Sequence, residues 1–212
     1  MMMITSTPRE YGLDNLAKVT LTPPYLGLMD NATRQVRGSR AFRQRKLAEW
    51  HNLFALAMIA SYRLHILFGD FAADALRVVV ALRSPVPLEP DGSGALRRAD
   101  TAVLGITWPE ACLRMPMPGS SFCEVLDPQP VWHPNVAMKP KAQVCCLGVK
   151  LPIGIPVTEI LLLAHFLLCM KAGVNAWDPA GVLNAEAAKW FQLNMHLLPL
   201  SREPFLLRED KT

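Results

Sequence analysis

Several kinds of sequence signal are missing from this chain of 212 residues. Its beginning lacks a basic region followed by a long apolar one, so we expect no signal peptide. The longest apolar run of the second half, residues 160–170, is bounded by Glu159 and Lys171 and has about half the length that a bilayer requires. No internal repeat and no low-complexity segment occurs. These absences argue against a membrane or repeat protein.

A paired cysteine framework is also lacking. The five cysteines are odd in number and show no C-x-x-C spacing, so we expect neither disulfides, nor a metal site, nor a cofactor, and a reducing cytoplasm as location. Hydrophobic residues at 51% and charged residues at 19% are typical of a globular protein. The length suits one core domain with a modest extension, which we place at residues 39–212 and 1–38 respectively.

Positive charge is concentrated near the beginning. Residues 1–50 contain eight Lys/Arg and four Asp/Glu, and this excess of four equals the formal net charge of +4. Six basic residues follow one another there without an intervening acid. A solvated helix face is the simple interpretation and a docking surface the alternative, whereas the lack of an aromatic stacking pattern argues against a nucleic-acid partner. The six are Arg34, Arg37, Arg40, Arg43, Arg45 and Lys46.

The first half predicts one helix and three strands. Apolar residues recur at helical intervals from about Arg40, and we expect this helix to end before Gly69. Residues 75–82 have the β-branched density of a strand that ends at the Pro-rich residues 84–87. Two further strands are expected at 101–107 and 122–126, which together predict an antiparallel meander.

The second half predicts two helices. The first, from about Val157 to Ala172, is apolar nearly all round and therefore belongs in the core. The second begins at Asn184, a favourable N-cap residue. Helix, strands, helix and helix in this order predict an α+β fold in which helices pack on one antiparallel sheet.

A thiol and an amide lie close together in the sequence between these two halves. Asn135 is followed, ten and eleven residues later, by Cys145 and Cys146. A cysteine thiolate can hold an acyl group as a thioester, and an asparagine N–H can stabilise the oxyanion that forms when the thioester is attacked. On spacing alone, a packed cysteine and a turn-forming asparagine are the simpler explanation.

The wider order of motifs favours the chemical interpretation. His-Pro-Asn at 133–135 precedes Cys-Leu at 146–147, and Pro156 follows ten residues after the cysteine. An apolar helical stretch comes next, and Asp178-Pro179 then precedes Asn-Ala-Glu-Ala-Ala at 184–188. This ordered set resembles the ubiquitin-conjugating enzyme family, and its Cys-Leu-Gly variant resembles the bacterial branch found in ubiquitin-like conjugation and antiphage operons.

The resemblance covers about residues 76–195 and implies the ubiquitin-conjugating fold. It implies an enzyme that accepts a ubiquitin-like protein from an adenylating (activating) enzyme as a cysteine thioester and transfers it to a lysine of a target protein, in antiphage defence. The first helix of this family is commonly basic and helps to dock the activating enzyme, so the resemblance gives the six basic residues a partner. Neither nucleic acid nor a membrane is expected.

The resemblance also assigns roles to single residues. Cys146 carries the thioester, because Cys-Leu and the interval to Pro156 match the family, and Cys145 is the alternative nucleophile. Asn135 donates to the oxyanion, and His133 with Pro134 holds the loop.

An acidic residue completes the set. The pKa of a free lysine is near 10.4, so its amine is almost entirely charged at neutral pH and needs help to react. Asp178 falls where the family places an acid beside the incoming lysine, which it orients and whose proton it accepts.

Two other functions stay open. One is a scaffold of the same fold that recruits partners without chemistry, although such variants generally lack the cysteine. The other is a thiol hydrolase with Cys146 and His133 as a dyad, although the Gly-rich flanks of thiol-protease signatures are absent.

Overall fold

The computed structural model describes residues 13–137, 143–170, 182–203 and 205. In these residues the fold is α+β, as predicted: a five-stranded antiparallel meander of order β1-β2-β3-β4-β5, with helices on both sides of it. The helices are α1 (Pro23–Gln35), α2 (Arg40–Ala60), α3 (Val157–Cys169) and α4 (Ala185–Leu193). The strands are β1 (Leu64–Asp70), β2 (Ala75–Leu88), β3 (Arg97–Pro109), β4 (Cys123–Asp127) and β5 (Gln143–Val144).

Helix α1 lies in the stretch that the sequence assigned to an extension. Pro23 and Pro24 look like helix breakers, but prolines are accepted in the first helical turn, where backbone N–H groups have no partner within the helix. Ala32 of α1 is buried, and so are Leu16 and Val36 on either side of it. The described part of this stretch therefore packs into the core of the protein.

Helix α2 is shorter than predicted, and strand β1 was not foreseen. The helix begins as expected, because Ser39 accepts a hydrogen bond from the N–H of Phe42 at 3.3 Å. It ends at Ala60, and the positive φ of 52° at Ser61 turns the chain into β1. The Trp50 ring lies so close to Gly69 that a Cβ there would be 2.3 Å from it, so α2 packs directly on this strand.

Strand β2 continues beyond its predicted end through two prolines. Its pairing with β1 stops at Leu82, and beyond Leu82 this edge of β2 meets, among the described residues, only the isolated bridge of Leu88 with Val131. The register against β3 also shifts between Arg83 and Val86. Proline, which has no N–H to donate, is accepted at such bulges and open edges. Pro85 and Pro87 therefore do not end the strand.

Helix α3 forms the centre of the core, as predicted, because eleven of its 13 residues are buried. Its first turn is held by Glu49 of α2, whose carboxylate accepts the N–H of Val157 at 2.9 Å and pairs with Arg45 at 2.9 Å. A carboxylate at this end of a helix also complements the helix dipole. Burial raises the pKa of Glu49. This contact fixes α3 relative to α2.

Lys46, which the sequence placed on the basic surface, lies inside the protein. Its side chain is completely buried, and its ammonium donates to the carbonyl of Arg37 at 2.5 Å and to that of Ala72. It joins the segment before α2 to the segment after β1. The expectation that Lys46 docks a partner is therefore wrong, because a buried lysine cannot reach one.

Replacing Lys46 by Met should lower the free energy of unfolding by roughly 1 to 3 kcal/mol, because the carbonyls of Arg37 and Ala72 would lose their buried donor. The exposed Arg43 is the matched control, and Arg43→Met should change stability by less than about 0.5 kcal/mol. Urea denaturation followed by circular dichroism measures both. Equal, small effects of the two substitutions would contradict the structural role of Lys46.

Candidate active site

The segment that carries His-Pro-Asn is attached to the Pro-rich end of β2. Val131 forms an isolated antiparallel bridge with Leu88. The N–H of Val131 donates to the side-chain oxygen of Gln143 at 2.8 Å, and that of Trp132 donates to the carbonyl of Pro87 at 2.8 Å. The unforeseen length of β2 is thus what positions this segment.

His133 holds the next turn with both ring nitrogens. Its Nδ1 accepts the N–H of Asn135 at 3.0 Å, so Nε2 carries the proton and donates to the carbonyl of Leu167 in α3 at 2.9 Å. The side chain is buried, and this burial lowers the pKa of His133 to about 4. His133 is therefore a neutral tie between the loop and the core helix.

Asn135 and Cys146 are neighbours across an antiparallel pair of strands. Val136 bridges Cys145, the N–H of Cys146 donates to the carbonyl of Asn135 at 2.8 Å, and the N–H of Ala137 donates to Val144 at 2.9 Å. In such a pairing the next opposed residues are Asn135 and Cys146, with Cβ atoms about 5 Å apart. The structure therefore places the backbones of the two predicted residues side by side.

Side-chain alternation separates the two adjacent cysteines. Cys145 and its partner Val136 are both completely buried, so they point to the core face. Cys146 belongs to the other face and is partly exposed, with its sulfur 3.8 Å from the carbonyl oxygen of Gly148. Asn135 is 1% exposed. Cys146 is therefore the more accessible of the two adjacent cysteines.

The remaining thiols are unsuited to react with a protein. Cys112, Cys123 and Cys169 are all buried. Burial raises the pKa of Cys112 to about 11. A hydrogen bond to Cys145, together with burial, holds the pKa of Cys123 well above its ordinary value. Since the thiolate is the reactive form, these groups are inert.

Two glycines shape the loop around Cys146. The N–H of Gly119 donates to the carbonyl of Gly148 at 3.0 Å, and a Cβ on Gly119 would lie 2.4 Å from that oxygen. Gly148 has a φ of 145°, which other residues rarely adopt. The sequence analysis did not single out Gly119 or the buried Gln143. Gly119 ends a Pro-rich stretch, which is a weak sequence signal for a tight backbone contact. Gln143 has no feature in the surrounding sequence that indicates its role.

The predicted residue Asp178 lies outside the described residues. The described chain resumes at Val182, and the N–H groups of Leu183 and Asn184 donate to the carbonyl of Pro134 at 2.7 and 3.0 Å. Asn184 is the predicted N-cap of α4, because its side chain accepts the N–H of Ala187 at 3.0 Å. The beginning of α4 therefore rests on the His-Pro-Asn turn.

Of the six basic residues from Arg34 to Lys46, the five arginines are exposed. Four of them line a groove of about 480 Å³ between α1 and α2, in which no acidic side chain of the described residues takes part. Arg45 is engaged by Glu49 through its ion pair at 2.9 Å. The groove residues are Arg34, Arg37, Arg40 and Arg43.

Comparison with known proteins yields no relative. No family model, no curated protein and no solved structure matches the chain. The ubiquitin-conjugating resemblance therefore stays a prediction from the sequence, and the chemistry of the site has to be argued from its geometry. Two properties of the described residues accompany this result. None of their helices is long and apolar enough to cross a membrane, and no group of three or more His, Cys, Asp or Glu among them is placed to hold a metal ion.

The buried, neutral His133 should make stability depend on pH. Between pH 6.5 and about 4 the unfolded chain binds a proton at this residue that the folded chain does not, so the free energy of unfolding should fall as pH falls through this window. Across this pH window, this one group lowers the free energy of unfolding by about 3 kcal/mol. Urea denaturation at pH 7, 5.5 and 4 should therefore show the gap between wild type and His133→Gln narrowing toward acid.

His65, which is exposed on β1, is the matched control. His65→Gln should parallel the wild type at all three pH values. If the gap between wild type and His133→Gln stayed constant from pH 7 to 4, the histidine would not be held neutral by the fold.

Proposed function

We propose that this protein is an acyl carrier of the ubiquitin-conjugating type. Cys146 accepts the C-terminal carboxyl group of a ubiquitin-like protein from an adenylating enzyme, as a thioester, and passes it to a lysine amine of a target protein. The observation that carries this proposal is the partly exposed thiol of Cys146 directly opposite Asn135 on the neighbouring strand. The proposed role in antiphage defence comes from the sequence resemblance alone.

The loading step needs little from the protein beyond access. A cysteine thiolate is nucleophilic enough to take over an activated acyl group without a dedicated base. Cys146 meets this requirement because it is partly exposed. The engagement of both His133 nitrogens in the fold is no obstacle to such a reaction, but it leaves a cysteine hydrolase without its base. The geometry thus favours acyl transfer over hydrolysis.

The transfer step is where Asn135 acts. When the lysine amine attacks the thioester, the carbonyl oxygen of the thioester becomes an oxyanion. A fixed hydrogen-bond donor stabilises this oxyanion, and comparable donors lower the activation free energy by about 3 kcal/mol. The backbone of Asn135 is fixed on both sides, since its carbonyl accepts from Cys146 and its N–H donates to His133. The residue that supplies the proposed donor is therefore held in register with Cys146. Asp178 keeps the proposed role of orienting the lysine.

The surroundings of the thiol suit an extended protein tail. Leu183, beside Pro134, is 43% exposed, and Val149, which follows Gly148, is 61% exposed. Exposed apolar side chains near a reactive group provide contacts for a bound chain. The arginine groove between α1 and α2 is the proposed docking surface for the activating enzyme, with the exposed Arg45 beside it.

Incubation with ATP, the modifier and its activating enzyme should yield an adduct that dithiothreitol cleaves. Cys146→Ala should abolish the adduct, because it removes the sulfur that bears the acyl group. Cys145→Ala is the matched control and should keep it, since that sulfur is buried. Electrophoresis without reductant measures the adduct, and maleimide labelling of the folded variants checks that only Cys146 is accessible. An adduct that persists in Cys146→Ala would refute the assignment.

Asn135→Ala should separate transfer from loading. Thioester formation should continue, whereas discharge onto free lysine should slow about 100-fold, because the oxyanion loses its donor. Because Asn135 is buried, the thermal unfolding of the Asn135→Ala variant must be compared with that of the wild type. Asn194→Ala, at the end of α4, is the control and should discharge normally. Unchanged discharge in a folded Asn135→Ala variant would leave the asparagine with a structural role only.

A further inference from the structure

A second polar pocket, of about 210 Å³, is formed by residues that take no part in the candidate active site. It lies where the bulge of β2, the beginning of β3 and the C-terminal segment 200–203 meet. Its inner wall includes Ser84 and His165, which are 1% and 2% exposed. A pocket with buried polar walls is a feature of small-ligand sites rather than of an ordinary surface.

Three guanidinium groups from different elements meet at this pocket. Arg63 precedes β1 and is only 7% exposed, whereas Arg83 and Arg98 are exposed on β2 and β3. The ring of Tyr62 lies 5.8 Å from the guanidinium of Arg63 and 5.2 Å from that of Arg83. Like charges held together in this way repel one another unless an anion joins them. The pocket is therefore built for negative charge.

The chain already supplies one oxyanion to this pocket. Glu203 pairs with Arg63 at 2.9 Å although the glutamate side chain is 63% exposed. Its segment is attached through Leu200, whose carbonyl accepts from the Arg98 guanidinium at 3.2 Å and whose N–H donates to the carbonyl of Cys169 at 2.9 Å. The buried ring of Phe205, two residues after Glu203, also packs on His165, with 5.2 Å between the ring centroids. Arg63 itself is buried, so its charge needs an anionic partner, whereas the carboxylate of Glu203 is mostly exposed. Another anion can therefore replace this carboxylate from solvent.

Charge decides which ligand fits. The second acid of the pocket, Asp100, forms no ion pair with any described residue. When Glu203 is displaced, the described residues that line the pocket include three arginines and one aspartate. The formal charges of these four side chains sum to +2. A phosphate group carries between about −1.5 and −2 at pH 7, and its oxygens match the fork of a guanidinium. A single carboxylate would neutralise half of this charge.

We propose that this pocket binds a phosphate group, free or carried by a small organic molecule, which displaces Glu203 from Arg63. Arg63, Arg83 and Arg98 pair with the phosphate oxygens. The hydroxyl of Ser201 in the pocket wall is a further donor, whereas that of the buried Ser84 lies 3.5 Å from the sulfur of Cys169. The site is independent of Cys146, so it stands whether or not the acyl-carrier function is correct.

Calorimetric titration of the full chain with inorganic phosphate at constant ionic strength tests the proposal. Arg83→Gln should weaken phosphate binding about tenfold, because a charged donor is lost. Arg97→Gln is the matched control, since the neighbouring exposed Arg97 donates to the carbonyl of Glu89 and does not line the pocket. Glu203→Gln should tighten binding about threefold by removing the competing carboxylate.

Three results would overturn the proposal. The first is the absence of phosphate binding by both the wild type and Glu203→Gln. The second is equal weakening by Arg83→Gln and Arg97→Gln, which would show general attraction to a basic surface. The third is acetate binding as tight as phosphate binding, which would assign the pocket to carboxylates. Both arginine variants change exposed side chains, so loss of folding is not expected to obscure the comparison.

Discussion

The pairing of Val136 with Cys145 is the contact on which the candidate site depends. Because side chains alternate along a strand, this register buries Cys145 and leaves Cys146 beside Asn135 on the other face. A slip by one residue would exchange the two cysteines and separate the thiol from the amide. A single backbone register therefore decides which of the two cysteines is buried and which is partly exposed.

That register is held from the core outward. Glu49 fixes the beginning of α3, and the carbonyl of Leu167 in the same helix anchors His133, which in turn holds the N–H of Asn135. On the cysteine side, Gly119 admits the backbone of Gly148 at a distance that a side chain would forbid. The amide and the thiol are thus placed by rigid elements, which is what catalysis of acyl transfer requires of a hydrogen-bond donor.

Positive charge on this chain occurs in four different settings, although it looks uniform in the sequence. Lys46 is a buried donor to two carbonyls, and Arg45 is tied to the carboxylate that holds α3. Four further arginines line the groove between α1 and α2, and a separate group, among them the buried Arg63, faces the polar pocket. Exposure, which depends on what packs against each helix face, separates these settings.

The sequence by itself determined the α+β class, the core helix α3, the N-cap at Asn184 and the thiol and amide as candidates, because these depend on local periodicity, capping and motif order. Only the tertiary structure decided the rest. The prolines hid helix α1 and the last part of β2, and the two-residue strand β5 exists through its pairing with β4. The proximity of Asn135 to Cys146 likewise arises from backbone hydrogen bonds across a loop, and the burial of Lys46 from packing between distant segments. Contacts of this kind are non-local, so no window of the sequence contains them.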